Sequence, residues 1–382
     1  MEHTMAKKFV LAPDSFKESM TAKEVCEAME LGIKRAIPDA ECIHVPMADG
    51  GEGTVQSLVD ATGGKLIEKE VTGPLGTKVI AHYGILGDGN TGVIEMASAS
   101  GIHHVNKESR NPLITTTYGT GELIRDCIER GITDIILGIG GSATNDAGTG
   151  MAAALGYKFL NKQGEELLLG GGYLDGLASI DVTEVLPELK RINIVVASDV
   201  TNPLCGERGA SVVFGPQKGA TPEMVQILDR NLRHFSEIVK QELGIDIVDV
   251  PGAGGAGGLG GGLLAFTNST MKKGIDIVVE TTNLKEELQH ADYCFTGEGG
   301  IDFQTKFGKA PFGVAQAAKS VNSNIKVIAV AGHVGEDVES LYNEGFDAIF
   351  GIVPGAADLE TLLASGRENI ARTAESIARL LK

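Results

Sequence analysis

The stretch Phe9-Val10-Leu11-Ala12-Pro13-Asp14-Ser15-Phe16-Lys17 decides the fold. Its four leading apolar residues make a short buried strand, and the polar run Asp14–Lys17 is the loop at the strand's end. Thr21 and Glu24 have the spacing of a capping box, ahead of a helix whose apolar face is Val25, Met29 and Ile33. Cys42–Val45 reads as a second strand, Asp49–Thr54 as a Gly-rich loop and Val55–Ala61 as a second helix. Strand, loop and helix repeated in this order predict parallel pairing with right-handed crossovers.

The C-terminal part follows the same pattern. Tyr293–Phe295, Val327–Ala331 and Ala348–Ile352 read as strands, with helices around Phe312–Lys319, Val338–Asn343 and Asn369–Leu381. The middle differs. Lys65–Val71, Val79–Ile85 and Thr91–Met96 read as antiparallel strands joined by Gly-rich turns, and an amphipathic helix covers about Thr221–Leu243, with Met224, Leu228, Leu232, Phe235 and Val239 on its buried stripe. The prediction is an α/β protein of two domains. One is a parallel-sheet domain built from both chain ends, 7–72 with 289–382; the other is an inserted mixed α/β domain, 73–288.

Composition narrows the function. The chain has 382 residues, enough for two domains, and 42% hydrophobic with 22% charged residues is ordinary globular usage that excludes wholesale disorder. Its 52 glycines fall in clusters between apolar runs, as in a protein whose backbone must approach a ligand closely. A net charge of −18 argues against nucleic acid or an anionic membrane as partner, because both need a basic face. The five cysteines are odd in number, scattered and never in C-x-x-C spacing, which fits reduced thiols in the cytoplasm. Met1–Lys8 has no apolar run of signal-peptide length, and Met5 reads as a second candidate initiator. A small-molecule enzyme, monomeric or homodimeric, is the expectation.

Five motifs carry chemistry. Gly138–Gly150 follows the strand Ile135–Leu137 and runs into an Ala-rich helix, an arrangement that offers backbone N–H groups to an anion. It also satisfies the loose dinucleotide pattern G-x-G-x-x-A. So do two other glycine runs satisfy the related G-x-G-x-x-G, and the acidic residue expected about 20 positions on falls at Glu165, in a polar turn. Asp49-Gly-Gly-Glu-Gly-Thr54 and Thr296-Gly-Glu-Gly-Gly-Ile-Asp302 each combine bare backbone with carboxylates just past a strand. Such oxygen ligands beside a phosphate cradle suit Mg²⁺-nucleotide chemistry, because Mg²⁺ favours one or two carboxylates plus phosphate oxygens. The same residues also suit the N-caps of strand-to-helix turns. Asp14-Ser-Phe-Lys17 and Asp199-Val-Thr-Asn-Pro203 put an Asp at a strand end, where open α/β sheets bind ligands.

Together these residues resemble a known family. Ala12–Ser19, Ala48–Thr54, Thr115–Ile124, Gly138–Gly150, Asp199–Leu204, Phe214-Gly-Pro-Gln-Lys-Gly219 and Thr296–Asp302 occur in the order and at the intervals of the bacterial type I glycerate kinases. The resemblance runs from about Lys8 to the C-terminus. It implies a flavodoxin-like terminal domain, an inserted α/β domain and ATP-dependent phosphorylation of D-glycerate. The sequence departs from the pattern at Gly300, where the family usually has Arg, and at Ala147, where Gly is common.

The expected roles follow from reaction chemistry. Phosphoryl transfer needs positioning, metal and cationic neutralisation. Asp14, Ser15, Gly50, Gly51, Gly53, Gly297, Gly299 and Lys309 are the candidate nucleotide and phosphate contacts, and Asp49, Glu52, Glu298 and Asp302 the candidate Mg²⁺ ligands. Asp199 is the candidate base for the glycerate hydroxyl and Lys17 the cation on the transferring phosphoryl group. Arg110 is placed on the glycerate carboxylate, which a guanidinium matches bidentately, with Ser142, Asn145 and Asn202 as further substrate contacts. The primary hydroxyl is less hindered, which favours 3-phosphoglycerate on chemistry alone. The resemblance, however, implies the C2 hydroxyl, and a carboxylate held tightly by Arg110 also fixes that adjacent hydroxyl best, so 2-phosphoglycerate is the expected product. Two other classes compete. A dehydrogenase acting on hydroxy acids would use the Gly138 loop for NAD and show nicotinamide turnover, and a two-lobed ligand sensor would show binding without turnover.

Overall fold

The computed structural model describes residues 6–382; Met5 lies outside them. The strands in chain order are β1 (Lys8–Leu11), β2 (Glu41–His44), β3 (Lys65–Thr72), β4 (Lys78–Ile85), β5 (Thr91–Glu95), β6 (Asp134–Gly138), β7 (Lys158–Leu160), β8 (Ser179–Asp181), β9 (Asn193–Ala197), β10 (Ser269–Lys272), β11 (Tyr293–Ile301), β12 (Lys326–Val334) and β13 (Ala348–Gly351). The chain divides into two compact units, one formed by residues up to Gly64 with Lys273–Lys382, the other by Lys65–Lys272.

The first unit has a wholly parallel sheet in the order β2-β1-β11-β12-β13. By order of appearance within the unit its strands lie 2-1-3-4-5, so the direction of winding reverses between β1 and β11. Helix Ala22–Ala36 forms as its sequence dictates: Thr21 accepts from the Glu24 N–H while the Glu24 side chain accepts from Thr21. Val25, Met29 and Ile33 are buried with Phe9 and Leu11 and with Ile370, Ala374 and Ile377 of helix Gly366–Leu381. The two helices touch at Gly32, where a Cβ would stand 2.0 Å from the Ala371 carbonyl oxygen.

The second unit has a six-stranded mixed sheet, β10-β9-β6-β5-β4-β3, parallel from β5 to β10 and antiparallel through β3, β4 and β5, plus a separate antiparallel pair, β7 with β8. Tyr83, Ile94, Met96, Leu123, Leu137 and Met151 lie in its core. Helices Tyr118–Glu129 and Thr149–Ala154 pack closely because Gly121 has no Cβ to meet the Met151 carbonyl oxygen, 2.3 Å from where one would lie.

Several expectations need adjustment. Lys65–Thr72, placed with the chain ends by the sequence reading, pairs with β4 in the second unit, while helices Gly274–Thr281 and Leu284–Leu288 belong to the first. Val338–Glu344 is a 3₁₀ segment rather than an α-helix. Most consequential for function, Thr296–Ile301 is not a loop past a strand. It continues β11, with Gly297 opposite Val330 and Gly300 opposite His333. Glycine is needed within this strand because a Cβ on Gly297 would stand 2.0 Å from the Val330 carbonyl oxygen. Among the described residues no helix is long and apolar enough to cross a membrane.

Candidate active site

Three neighbouring strands of the first unit deliver carboxylates from their C-terminal ends. Past β1 the chain stays tied to β11, Ala12 N–H donating to the Phe295 carbonyl at 2.7 Å and Asp14 N–H to that of Gly297 at 2.8 Å, so Asp14 is held beside Glu298. Past β2, Met47 N–H donates to the Pro13 carbonyl at 2.9 Å and leads into Asp49. This is the winding-reversal point, where open α/β sheets leave a crevice at their carboxyl ends.

A cavity of about 790 Å³ opens there, lined by Asp14, Ser15, Lys17, Asp49, Glu52, Glu298, Gly299, Asp302 and Lys309. Nine of the residues expected to serve nucleotide, metal or phosphate thus share one cavity. Gly50, Gly51, Gly53 and Gly297 do not line it; they shape it. Gly50 and Gly53 take left-handed backbone, with φ of 91° and 93°, and Gly51 N–H donates to Asp49 Oδ1 at 2.9 Å. The backbone of Asp49 is clamped from behind, since a Cβ on Gly274 would stand 2.0 Å from the Asp49 carbonyl oxygen.

The electrostatics follow from the crowding. Burial, then the charge of Asp49 and less strongly that of Glu298, push the Asp14 carboxyl up to about 7, against the Ser15 N–H that donates to it. Burial also raises Glu298, although Lys309 Nζ donates to its Oε1 at 3.2 Å and Thr305 Oγ1 donates at 3.3 Å. Lys309 also donates to the Gly300 carbonyl at 3.2 Å. No heavy atom lies within 4 Å of where a Gly300 Cβ would be, so the position where the family usually has Arg is sterically open here. Asp302 accepts from Gln304 N–H at 2.8 Å and caps the 3₁₀ turn Phe303–Lys306, so for this residue the N-cap reading holds while its side chain still borders the cavity. Asp14, Asp49 and Glu298 are hard oxygen donors carrying mutual repulsion that a divalent cation would relieve, and they fit Mg²⁺. Among the described residues no three His, Cys, Asp or Glu side chains form a metal cage of their own, and Mg²⁺ shared with phosphates does not require one.

The same cavity is also lined by an apolar group, Ile352, Val353, Leu359, Leu362 and Leu363, and by the polar Asn369. Val353 and Leu359 are 47% and 68% exposed, leaving apolar surface uncovered. Nothing in the sequence reading marked this wall. Leu359–Ala364 is a single short helix whose exposed leucines carry no distinctive spacing.

The acceptor candidates lie in the second unit, at the C-terminal ends of its parallel strands. Gly138 and Ala197 are partners in register, so Gly138–Gly150 and Asp199 emerge side by side from β6 and β9. Asp199 is exposed. Asn202 Nδ2 donates to the Arg208 carbonyl at 2.8 Å and closes its own turn. Asn145 is wholly buried and donates to Ser211 Oγ at 3.0 Å, a tie within the fold rather than an exposed contact. Arg110 Nη1 donates to the Gln217 carbonyl at 3.2 Å. The Thr115–Ile124 motif supports the glycine loop: Thr117 N–H and Oγ1 both donate to the buried Asp146, which also accepts from Gly148 and Gly150 N–H. Ala147, in place of the common Gly, holds a left-handed φ of 54°.

Sequence reasoning missed Lys218. Its side chain is 2% exposed and Nζ donates to Ser142 Oγ at 2.7 Å and to the Thr144 carbonyl at 2.6 Å. The signal was present in Phe214-Gly-Pro-Gln-Lys-Gly219, where a Lys sits between turn residues, but an isolated lysine reads by default as a solvated surface charge.

A cavity with carboxylates and a lysine at the strand ends of a parallel sheet defines a class, the α/β proteins that bind anionic ligands at a winding reversal. The comparisons make the class specific. The glycerate kinase family model matches residues 9–382, and the chain belongs to the glycerate kinase family. It is 54% identical to the glycerate kinase of Haemophilus influenzae and 49% identical to the glycerate 2-kinase of Escherichia coli K12, each over 98% of both chains. A crystal structure from Salmonella typhimurium LT2, provisionally described as glycerate kinase 2, superposes with a TM-score of 0.91 at 46% identity, covering 98% of both chains.

Proposed function

We propose that this protein is a cytoplasmic glycerate kinase of the bacterial type I kind, monomeric or homodimeric, that transfers the γ-phosphoryl group of ATP to D-glycerate and yields 2-phosphoglycerate. The observation that carries the reading is the cavity of the first unit, lined by carboxylates, lysines and an apolar group, in a chain matched to the family almost throughout. The apolar wall of Val353, Leu359 and Leu363 suits an adenine ring, and the charged residues suit the phosphates. In this reading the first unit is a flavodoxin-like domain, whose 2-1-3-4-5 strand order suits a ligand at the reversal point, and the second unit is the inserted domain.

Asp49 and Glu298, with Glu52 and Asp302 at the rim, would hold Mg²⁺ together with the nucleotide. The ion supplies neutralisation of charge on the phosphate oxygens. Lys309 is anchored on Glu298 and the Gly300 carbonyl, and it takes the place of the family's Arg as the fixed cation. Lys17, exposed at the mouth, neutralises the phosphoryl group in transfer. Ser15 and the glycine backbone at 50–53 and 297–299 shape the phosphate cradle. In the second unit Arg110 holds the glycerate carboxylate, and Ser142, Asn145 and Asn202 form and brace the surrounding loops. Asp199 accepts the proton of the attacking hydroxyl. The Escherichia coli relative's description as a glycerate 2-kinase supports the C2 hydroxyl as acceptor. A coupled ADP-release assay tests the reading. Turnover requiring both D-glycerate and Mg²⁺ supports it, and turnover indifferent to glycerate across a panel of hydroxy acids rejects it.

A further inference from the structure

We propose that Lys218 is a positioning residue for the acceptor substrate, acting through Ser142: its buried ammonium orients the Ser142 hydroxyl so that the O–H is presented to glycerate. This rests on the reading that the Gly138–Gly150 loop holds the acceptor.

The geometry is specific. The turn Gly215–Gly219, closed by Lys218 N–H on the Gly215 carbonyl at 2.9 Å, drives the lysine side chain inward rather than to solvent. There the ammonium has three donors. One goes to Ser142 Oγ and one to the Thr144 carbonyl, so the lysine ties together two positions of a loop otherwise rich in glycine. The Ser142 backbone is fixed independently by a bridge to Gly101. With main chain and oxygen both held, the remaining freedom of Ser142 is the direction of its O–H. Because the oxygen accepts from Lys218, that proton must point elsewhere. Beside it, Thr144 Oγ1 and Asn145 Oδ1 are buried without hydrogen-bond partners. The loop's own fold leaves hydrogen-bonding capacity unmet on both sides of the Lys218 contact, so neither atom serves as the acceptor that would fix the Ser142 proton.

Stability does not explain the lysine. Burying an ammonium costs several kcal/mol, and a well-packed apolar side chain of similar length is often as stable or more so. The charge that favours its ionisation is Asp146, which is already held by Thr117, Gly148 and Gly150, and burial pulls the lysine down to about 7. A buried cation hydrogen-bonded to a hydroxyl beside unpartnered polar atoms suits an anionic hydroxy acid better than it suits a core.

The test is a double-mutant cycle on the full chain with Lys218→Met, Ser142→Ala and the double variant, reading KM for glycerate and KM for ATP separately. Expected are rises in glycerate KM on the order of 10- to 100-fold for each single variant, the range of a hydrogen bond to a charged group. ATP KM should stay within about twofold, and the double variant should be little worse than Lys218→Met alone, as for two residues acting as a unit. A purely architectural lysine would lower the thermal midpoint and the active fraction without moving glycerate KM selectively. Lys218→Gln keeps two N–H donors without the charge and serves if Lys218→Met does not fold; an intermediate rise in glycerate KM is expected. If Ser142→Ala raises glycerate KM while neither lysine variant does, or if the effects are additive, the positioning role is overturned and the loop reading stands. If Ser142→Ala leaves glycerate KM unchanged, both are overturned.

Discussion

Gly274→Ala is a small change outside the cavity that should nevertheless disable it. The added Cβ would lie 2.0 Å from the Asp49 carbonyl oxygen and 2.6 Å from Gly50 Cα, and both are backbone atoms without a rotamer to yield. Contacts below 3.0 Å are essentially never found, so the Asp49–Gly50 segment must retreat by about 1 Å. Overpacking of this kind costs about 1–3 kcal/mol. At about 2–4 °C per kcal/mol for a unit of this size, the thermal midpoint should fall by several degrees. The larger effect is on turnover. Asp49 carries both a proposed metal contact and the charge that raises Asp14, and a misplacement of about 1 Å can cost on the order of 10²-fold in rate. Gly300→Ala is the matched control, since its Cβ meets nothing within 4 Å and should leave both midpoint and kcat nearly unchanged. The assay is ADP release at saturating glycerate beside a melting curve. A Gly274→Ala enzyme with full kcat and unchanged midpoint would refute the claim that this clamp positions Asp49.

Two further outcomes follow from the charged groups. Asp14 has a folded-state pKa of about 7 against 3.8 for the free side chain, so the folded protein binds its proton more tightly than the unfolded chain. This group therefore removes stability as pH rises from about 4 to about 7, by at most about 4 kcal/mol at about 1.4 kcal/mol per unit. Asp14→Asn should melt higher than the parent at pH 8, the difference vanishing near pH 4, while ATP-dependent turnover drops; equal midpoints at pH 8 would contradict the buried, crowded carboxylate. Asp199→Asn should lower kcat by on the order of 10² to 10⁴, the range of a general base, with ATP KM unchanged, and full turnover would leave Asp199 a turn former only.

The legible parts of this protein are those set by local chemistry. The strand Phe9–Leu11, the capping box at Thr21 and Glu24, and the stripe Leu228, Leu232, Phe235 and Val239 on helix Pro222–Leu243 all read directly from spacing. The terminal pairing of the first unit was readable too, because strand–helix alternation at both ends requires a shared parallel sheet. What was not legible depends on distant neighbours. Thr296–Ile301 reads as a loop because glycines break strands in general, and only the close Val330 carbonyl makes glycine necessary there. Lys65–Thr72 is recognisable as a strand, but its partner β4 decides which unit it joins. The cavity residues Asp14, Asp49 and Glu298 were identified individually from their strand ends, and Lys309 as a cation close to these loops. The apolar wall from Val353 to Leu363 and the buried Lys218 were not, since burial and exposure of single side chains are set by packing rather than by pattern.

The central claim is transfer from ATP to the C2 hydroxyl of glycerate. Its most direct test couples the reaction to enolase with phosphoglycerate mutase omitted and follows phosphoenolpyruvate formation from D-glycerate, ATP and Mg²⁺. The account predicts signal at once, without the mutase, because enolase accepts 2-phosphoglycerate. Signal that appears only after the mutase is added would place the phosphoryl group on the primary hydroxyl, and no signal with both enzymes present would contradict glycerate phosphorylation altogether.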